Sequence, residues 1–303
     1  MNNPSDQIIL SPNSSSLQNI QKFSHKAMAT IFEIYINSDR YDYYAQAAQA
    51  AFIEIDRLET ELSRFIENSD VSRINALKLN ESAIVGPDVL NCLKMCADLY
   101  KNTEGLFDIT AGSLYDSWKY SSNHQSGNNS NKSLFPWLYI DSESFTVKKV
   151  NENISIDLGG FGKGYALEIV KDILYEWGTK SFMLNGGMST VLASEDHDWC
   201  ISLSHPVSGK IIHEINLKGN ALSGSGINKG QHIINPVSGE PVNDKIAAWA
   251  IAKNAAVSDA LSTAFMLMPE DKIEEFCDKN EETGALIIEN NELFTFKFFG
   301  EWG

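Results

Sequence analysis

A glycine-rich turn between an apolar segment and an amphipathic segment constrains this chain most. It runs Ile154-Ser-Ile-Asp-Leu-Gly-Gly-Phe-Gly-Lys-Gly-Tyr-Ala166. The pattern predicts a strand over 154–158, a turn rich in glycine, and a helix over 165–177. The glycines are free to adopt positive φ and to let the backbone approach a ligand, and the first amides of a helix attract anions. With the charge of Lys163 beside them, the segment predicts a phosphate-binding turn.

The same segment is also compatible with a plain strand-to-helix connection. A P-loop requires Ser or Thr directly after its lysine, whereas Lys163 is followed by Gly164. The glycine spacing also differs from the G-x-G-x-x-G pattern of dinucleotide-binding folds. On this segment alone both interpretations stay open.

Charge and composition narrow the class of protein. The 303 residues are 43% hydrophobic and carry a formal net charge of −16, so the chain can bury a large core in one domain or two. Nucleic acids and anionic membrane surfaces attract clustered Lys and Arg, so the acidic balance argues against both as main partners. The four cysteines lack the spacing of a zinc site or a disulfide framework. Cys92 and Cys96 lie one helical turn apart and are predicted to be core residues.

The beginning of the chain differs from the rest. Residues 1–21 are polar and rich in Ser and Asn, which predicts a disordered arm ahead of a single domain over 22–303. No apolar run is long enough to predict a transmembrane segment, and no signal-peptide core is present. The expected location is the cytoplasm as the sequence stands, or the periplasm if an export signal has been removed.

Hydrophobic periodicity predicts an α+β protein. The apolar positions of 43–65 and 89–103 follow the period of one helical face, while 30–37 alternates as a strand. Residues 121–133 are rich in Ser, Asn and Gly and are predicted to form a surface loop. Further strands are predicted at 137–140, 145–147, 181–184, 200–204, 211–217, 246–252, 284–289 and 293–298, and further helices at 258–267 and 270–279.

A carboxylate and a hydroxyl are spaced to share one face of the predicted helix at 258–267. Asp259 and Thr263 are four residues apart, so both can address one ion. Mg²⁺ takes oxygen ligands of this kind and keeps waters or phosphate oxygens in its remaining positions. A helix cap with a solvated face explains the same pair, so the residues alone leave the metal site open.

Several short blocks, in a fixed order, carry a family resemblance. They are Lys26-Ala-Met-Ala-Thr30, Gly105-Leu-Phe-Asp-Ile-Thr110, Asn185-Gly-Gly187, Ser223-Gly-Ser-Gly226, His232-Ile-Ile-Asn-Pro-Val-Ser-Gly239 and Ser258-Asp-Ala-Leu-Ser-Thr-Ala-Phe-Met266. Together with the glycine-rich turn they resemble the FAD:protein FMN transferase (ApbE) family over residues 23–298. The resemblance implies a two-lobed α+β fold of mixed and antiparallel sheets with packed helices, and an FAD cleft between the lobes.

The resemblance also implies a reaction and a set of site residues. A Thr or Ser hydroxyl of a target flavoprotein attacks the FMN phosphorus of FAD, AMP leaves, and Mg²⁺ assists. The implied metal ligands are Asp259, Thr263 and the carbonyl of Gly160, with Ser262 as an adjacent oxygen. Asp259 is also a candidate base, and His232 is a candidate for phosphate binding or proton transfer, or a structural histidine. The positions that match flavin-binding places are Met28, Phe65, Leu106, Phe107, Asp108, Lys163 and Ile234.

Each flavin-binding position has an ordinary alternative. Met28, Phe65 and Phe107 offer apolar surface to an aromatic ring, but the residues alone favour ordinary core packing. Asp108 can accept hydrogen bonds from adenine or ribose, and Lys163 can pair with phosphate. The chain departs from the family pattern at Ala29, where the family has Gly, at Phe65 instead of Tyr, and at Glu168 instead of Asp.

Two other functions fit the same residues. Water in place of the acceptor hydroxyl would make the protein an Mg²⁺-dependent FAD pyrophosphatase that yields FMN and AMP. A non-catalytic FAD-binding protein would use the cleft without turnover. For the transferase, the implied partners are FAD and an acceptor flavoprotein. That acceptor is a subunit of a redox complex, such as Na⁺-translocating NADH:quinone reductase, or a soluble flavin-dependent reductase.

Overall fold

A computed structural model describes residues 8–10, 19–110, 137–152, 154–227, 233–236, 238–291 and 294–302. The chain divides into two compact units. The first comprises residues 1–56, 163–230 and 243–303, and the second comprises 57–162 and 231–242. The predicted surface loop at 121–133 and His232 lie outside the described residues. The single domain expected over 22–303 stays a prediction.

The described residues form fourteen strands and six helices. The strands are β1 (Ile8–Leu10), β2 (Ile20–Ala27), β3 (Thr30–Asn37), β4 (Ser82–Ile84), β5 (Leu138–Asp141), β6 (Thr146–Lys149), β7 (Phe182–Gly186), β8 (Thr190–Ala193), β9 (Trp199–Ser204), β10 (Ile211–Leu217), β11 (Ala221–Gly226), β12 (Lys245–Ala252), β13 (Gly284–Glu289) and β14 (Phe296–Gly300). The helices are α1 (Tyr41–Leu62), α2 (Asp70–Ala76), α3 (Pro87–Asn102), α4 (Gly162–Glu176), α5 (Ala255–Leu267) and α6 (Glu270–Lys279).

An eight-stranded antiparallel sheet organises the first unit. Its strand order is β14-β13-β12-β11-β8-β7-β3-β2, and a smaller sheet has the order β1-β9-β10. The central strands β7, β8 and β12 are buried along their whole length, as expected for strands covered on both faces. Trp199 and Trp249 are fully buried in the apolar core that these strands share.

The second unit contains the three-stranded antiparallel sheet β4-β6-β5 together with α2 and α3. Cys92 and Cys96 lie on the buried face of α3, which confirms the prediction that they are core residues. Burial raises the pKa of both thiols, so neither is a reactive thiolate at neutral pH.

The helix α1 buries the apolar face that its sequence predicts, at Ala47, Ala51, Ile55, Leu58 and Leu62.

The predicted α+β class with antiparallel sheets is confirmed, but the strand predicted at 154–158 is wrong. These residues belong to no strand, and their backbone groups pair instead with a side chain and with a single distant carbonyl. The side-chain amide of Asn75 donates to the carbonyl of Ile156 at 3.0 Å, and its oxygen accepts from the Ile156 N–H at 2.6 Å. The Asp157 N–H donates to the carbonyl of Ile109 at 2.7 Å. An apolar run can therefore be buried and extended without belonging to a sheet.

The expected disordered arm over 1–21 also differs from what the structure describes. β1 pairs antiparallel with β9, and β2 already begins at Ile20. Three consecutive apolar residues, Ile8-Ile-Leu10, have the β-propensity needed to add a strand to a sheet edge. No helix in the described part of the chain has both the length and the apolar character needed to cross a membrane.

Candidate functional site

The helix α5 carries the predicted metal-binding pair and is almost entirely buried. It begins after Asn254, whose side chain accepts a hydrogen bond from the N–H of Val257 at 3.1 Å, a typical N-cap. The helix packs on β11 and β12. It spans both Asp259 and Thr263, so the prediction that one helix presents these two residues is confirmed.

The Asp259 carboxylate is buried, with 4% of the residue exposed. One oxygen, Oδ2, accepts from the N–H of Gly164 at 3.2 Å and lies 3.4 Å from Nζ of Lys163. The other, Oδ1, accepts from the hydroxyl of Thr190 at 3.2 Å. A buried carboxylate needs a counter-charge or donors, and here it has both. All three contacts are longer than the usual charge-assisted bond.

Three hydroxyl groups near this carboxylate, those of Ser262, Ser225 and Thr263, form a chain of hydrogen bonds. The Ser262 hydroxyl donates to the carbonyl of Asp259 at 2.8 Å. Ser225 Oγ lies 2.8 Å from Ser262 Oγ and 3.2 Å from Thr263 Oγ1. Each hydroxyl has a single hydrogen, so Ser225 must donate to Ser262, and Thr263 must donate to Ser225. The lone pairs of Thr263 Oγ1 therefore stay available to a cation.

The donor set at Asp259 and Thr263 fits Mg²⁺. Both side chains offer hard oxygen atoms, which is the ligand class that Mg²⁺ takes. Within the described ranges, no three His, Cys, Asp or Glu side chains lie close enough together to hold a metal ion. Mg²⁺ bound at these two side chains would take further oxygen ligands, such as waters or phosphate oxygens.

The glycines of the turn act differently from the prediction. The φ angles of Gly159, Gly162 and Gly164 lie outside the left-handed region, so the expectation of positive φ at these positions is wrong. The helix α4 already begins at Gly162, and helical geometry needs no left-handed residue. Gly164 is required for close packing instead, because a Cβ there would lie 2.2 Å from the carbonyl oxygen of Ala255.

A buried glutamate joins α4 to the beginning of α5. Glu168 Oε1 accepts from the N–H of Ala255 at 2.5 Å, and its other oxygen pairs with Lys171. The N–H of Ala255 belongs to the first turn of α5, where no carbonyl within the helix can accept it. Glu168 therefore caps α5 from another helix and places a negative charge at its positive end.

Asp108 has an unusual electrostatic environment in the second unit. Burial raises its pKa to about 6, although hydrogen bonds from the N–H and the hydroxyl of Thr110 oppose the rise. Both bonds reach Oδ1 and are 2.7 Å long. The pKa of Tyr100 is also raised, mainly by burial and to a smaller extent by the negative charge of Asp108.

The apolar residues predicted to meet the flavin have different exposures. Phe65 is 81% exposed, and the guanidinium of Arg64 lies 4.5 Å from the centre of its ring, so Phe65 is not a core residue. Phe107 and Ile234 are buried, whereas Leu106 is half-buried. Ile234 forms an antiparallel bridge with Pro241.

Met28 and Ala29 form the two-residue connection between β2 and β3. Their φ angles are 49° and 56°, and Ala27 pairs with Thr30 across the hairpin. Positive φ at both central residues is the geometry of a type I′ turn, which favours Asn and Gly. Ala29 adopts this conformation although it is not a glycine. Met28 is half-buried.

The ApbE family model matches residues 28–287, which is more than half of the 303 residues. The chain belongs to the ApbE family. The FAD:protein FMN transferase of Vibrio cholerae is 25% identical over 267 residues, which cover 80% of this chain and 80% of that protein. The FAD:protein FMN transferase of Chlamydia muridarum is 26% identical over 236 residues and covers 70% and 73% of the two chains.

Solved structures show the ApbE fold. The ApbE protein of Thermotoga maritima has a TM-score of 0.78 at 23% identity, covering 93% of this chain and 97% of that one. The flavin transferase ApbE from Vibrio cholerae has a TM-score of 0.75 at 21% identity, covering 93% and 96%. The mixed α+β architecture with antiparallel sheets and six helices is therefore an ApbE-like fold, as predicted.

The ApbE site residues that were predicted fall into both units. The first unit brings Lys163, Asp259 and Thr263 together and contains Met28. The second contains Phe65, Leu106, Phe107, Asp108, Gly160 and Ile234. The roles of these residues, and the expected FAD cleft, stay predictions.

Three contacts to Asp259 or its helix were missed by sequence reasoning. Thr190, Ser225 and Glu168 each meet α5 from a distant part of the chain. The partners are separated by 69, 38 and 87 residues respectively. No local pattern signals such a contact, except that Ser225 belongs to the Ser-Gly-Ser-Gly block.

Proposed function

We propose that the protein is an Mg²⁺-dependent FAD:protein FMN transferase. It moves FMN from FAD to the hydroxyl of a Thr or Ser in an acceptor flavoprotein and releases AMP. The observation that carries this proposal is the buried Asp259 carboxylate beside Lys163 and Thr263 in a chain that matches the ApbE family over residues 28–287. Relatives named FAD:protein FMN transferase support it at 25% and 26% identity.

The residues that would hold Mg²⁺ are Asp259, Thr263 and, through its carbonyl, Gly160. The hydroxyl chain from Thr263 to Ser262 supports this assignment because it leaves the lone pairs of Thr263 Oγ1 available. When bound, Mg²⁺ supplies positive charge to the phosphate oxygens of FAD.

Lys163 supplies a second positive charge. Its side chain is 21% exposed, and its long, flexible stem allows the ammonium group to move between two anions. Its ammonium nitrogen lies 3.4 Å from Oδ2 of Asp259. We propose that it contacts an FAD phosphate when the nucleotide binds, because a flexible ammonium group beside the proposed metal site can pair with a phosphate oxygen.

The flavin and adenosine parts would be held by the second set of residues. The exposed ring of Phe65 offers a flat face for stacking, and Met28, Leu106, Phe107 and Ile234 add apolar surface. Asp108, whose pKa is raised to about 6, can accept hydrogen bonds from the nucleotide through its second oxygen.

The transfer itself exchanges one phosphorus–oxygen bond for another. The acceptor hydroxyl oxygen bonds to the FMN phosphorus while the bond from that phosphorus to the bridging oxygen breaks. AMP leaves with the bridging oxygen, and the hydroxyl proton passes to Asp259 or to His232 as base. Because no covalent enzyme intermediate is needed, the residues contribute mainly by positioning the reactants and by stabilising charge.

The proposal is tested by measuring AMP release. Purified protein is incubated with FAD and Mg²⁺, first alone and then with a subunit of Na⁺-translocating NADH:quinone reductase or a soluble flavin-dependent reductase as acceptor. AMP release should be slow alone and rise with an acceptor, because a transferase must exclude water until the hydroxyl arrives. Asp259→Asn and EDTA should abolish it, whereas Asp278→Asn, an exposed carboxylate on α6, should not.

Two results would contradict the proposal. If AMP and free FMN are released as fast without an acceptor as with one, the protein is an FAD pyrophosphatase. FAD binding without AMP release under any of these conditions would identify a non-catalytic FAD-binding protein.

A further inference from the structure

Thr190 occupies a rigid position beside the proposed metal site. It is the first residue of β8 and pairs with Gly186 on β7 and with Ser223 on β11. The residue is fully buried. A threonine is branched at Cβ and has restricted χ1 freedom, so strand pairing and burial together fix where its hydroxyl points.

That hydroxyl is a donor to Asp259. Oγ1 of Thr190 lies 3.2 Å from Oδ1 of Asp259, and an ionised carboxylate can only accept. Oδ2 is held by the N–H of Gly164 and by Lys163, both from α4. The carboxylate is therefore fixed from two sides, by β8 on Oδ1 and by α4 on Oδ2.

Removal of the donor on Oδ1 would release the carboxylate from one of these constraints. The terminal torsion of an aspartate is broad, so its orientation depends on the groups that hydrogen-bond to it. Groups that orient a metal-binding carboxylate typically change metal affinity by about 10-fold to 100-fold when they are removed.

We infer that Thr190 is a positioning residue for the Mg²⁺ site: it orients Asp259 and so sets the affinity of the protein for the ion. The inference rests on the proposed function, because it takes Asp259 as the metal ligand. Thr190 itself contacts the carboxylate and is assigned no contact with FAD.

The test compares two substitutions at Thr190 that differ in whether the hydroxyl is kept. Thr190→Val keeps the shape and removes the hydroxyl, while Thr190→Ser keeps the hydroxyl. Ser258→Ala is the matched control: Ser258 is also fully buried, neighbours Asp259 on α5, and donates to the carbonyl of Ala250 at 2.8 Å instead of to the carboxylate. Mg²⁺ affinity is measured by titration calorimetry without FAD, at a temperature at which circular dichroism shows every variant folded.

Thr190→Val should weaken Mg²⁺ binding by about 10-fold or more, and Thr190→Ser should stay close to the wild type. Ser258→Ala should lower the melting temperature without changing the Mg²⁺ affinity. This comparison separates a positioning role from a general loss of stability, since both Thr190→Val and Ser258→Ala remove one buried hydrogen bond.

Wild-type affinity in Thr190→Val would overturn the inference and leave the proposed function intact, provided that Asp259→Asn still abolishes Mg²⁺ binding. Equal weakening by Thr190→Val and Thr190→Ser would also overturn it. Mg²⁺ binding that does not depend on Asp259, or no binding by the wild type, would overturn both the metal site of the proposed function and this inference.

Discussion

At the scale of single residues, Ala29 holds a backbone conformation that is unfavourable for an L-amino acid. Its φ of 56° lies in the left-handed region, which costs a residue with a Cβ about 1–2 kcal/mol. The side chain is exposed, so burial does not offset this cost. Its position in the connection between β2 and β3 explains why the family resemblance implies a glycine there.

Ala29→Gly should therefore stabilise the protein. Relief of the left-handed strain exceeds the added entropy of the unfolded chain by about 0.5–1 kcal/mol. The control is Ala50→Gly within α1, where a helical glycine should destabilise by about 1 kcal/mol. Urea denaturation of the three proteins measures both effects, and destabilisation by Ala29→Gly would show that the turn is not strained.

The raised pKa of Asp108 predicts that the free energy of unfolding falls as the pH rises. Its pKa of about 6 in the folded protein lies above the ordinary value of 3.8, so the fold favours the protonated acid. The contribution of Asp108 to stability is complete below pH 3.8 and is lost as the pH rises through about 6. Relative to Asp108→Asn, the wild type should lose about 2–3 kcal/mol of unfolding free energy across this window.

The measurement is urea denaturation of both proteins between pH 4 and pH 7.5. A constant difference between the wild type and Asp108→Asn would contradict the raised pKa.

At the scale of secondary-structure elements, α4 and α5 approach so closely that one position tolerates only glycine. A Cβ on Gly164 would lie 2.2 Å from the carbonyl oxygen of Ala255 and 2.7 Å from the Cα of Ala256, the first two residues of α5. These atoms belong to the backbone and cannot rotate away. Glu168 fixes the same contact by capping α5, so the approach of the two helices determines how Gly164 and Lys163 meet Asp259.

Gly164→Ala should force the two helices apart and destabilise the protein by more than about 3 kcal/mol, with loss of Mg²⁺ binding. Gly162→Ala is the matched control, since it lies in the same helix and a Cβ there has no atom within 4 Å. That variant should be neutral or more stable by up to about 1 kcal/mol. Thermal unfolding compares the two, and equal stability of both variants would rule out the close contact.

Elements with a regular apolar period were predicted well from the sequence. The strand 211–217 and the helix 270–279 have the predicted bounds, because one buried face imposes a period on each. The strand 284–289 also has the predicted bounds, but it is buried on both faces and is marked by a continuous apolar run instead. The strands β8 and β11 were missed. β11, Ala221–Gly226, is built from Ala, Leu, Ser and Gly and contains no β-branched or aromatic residue. Its propensity for a strand is therefore low, and its place between β8 and β12 makes it extended.

At the scale of the whole molecule, the site depends on contacts between distant parts of the chain. Lys163 and Asp259 are 96 residues apart, and Thr190 and Asp259 are 69 apart. The spacing of Asp259 and Thr263 could be predicted because it lies within one helix. The partners of Asp259 could not, because they are set by the order of strands in the eight-stranded sheet and by the packing of α4 on α5.

Intact mass spectrometry of an acceptor tests the central claim, covalent flavin transfer, most directly. A redox-complex subunit or flavin-dependent reductase that contains the target hydroxyl is incubated with the protein, FAD and Mg²⁺, and its mass is measured before and after. The account predicts a gain of one FMN with the loss of one water, at a single Thr or Ser, and no gain with Asp259→Asn. An acceptor of unchanged mass, while FMN and AMP accumulate in solution, would contradict it.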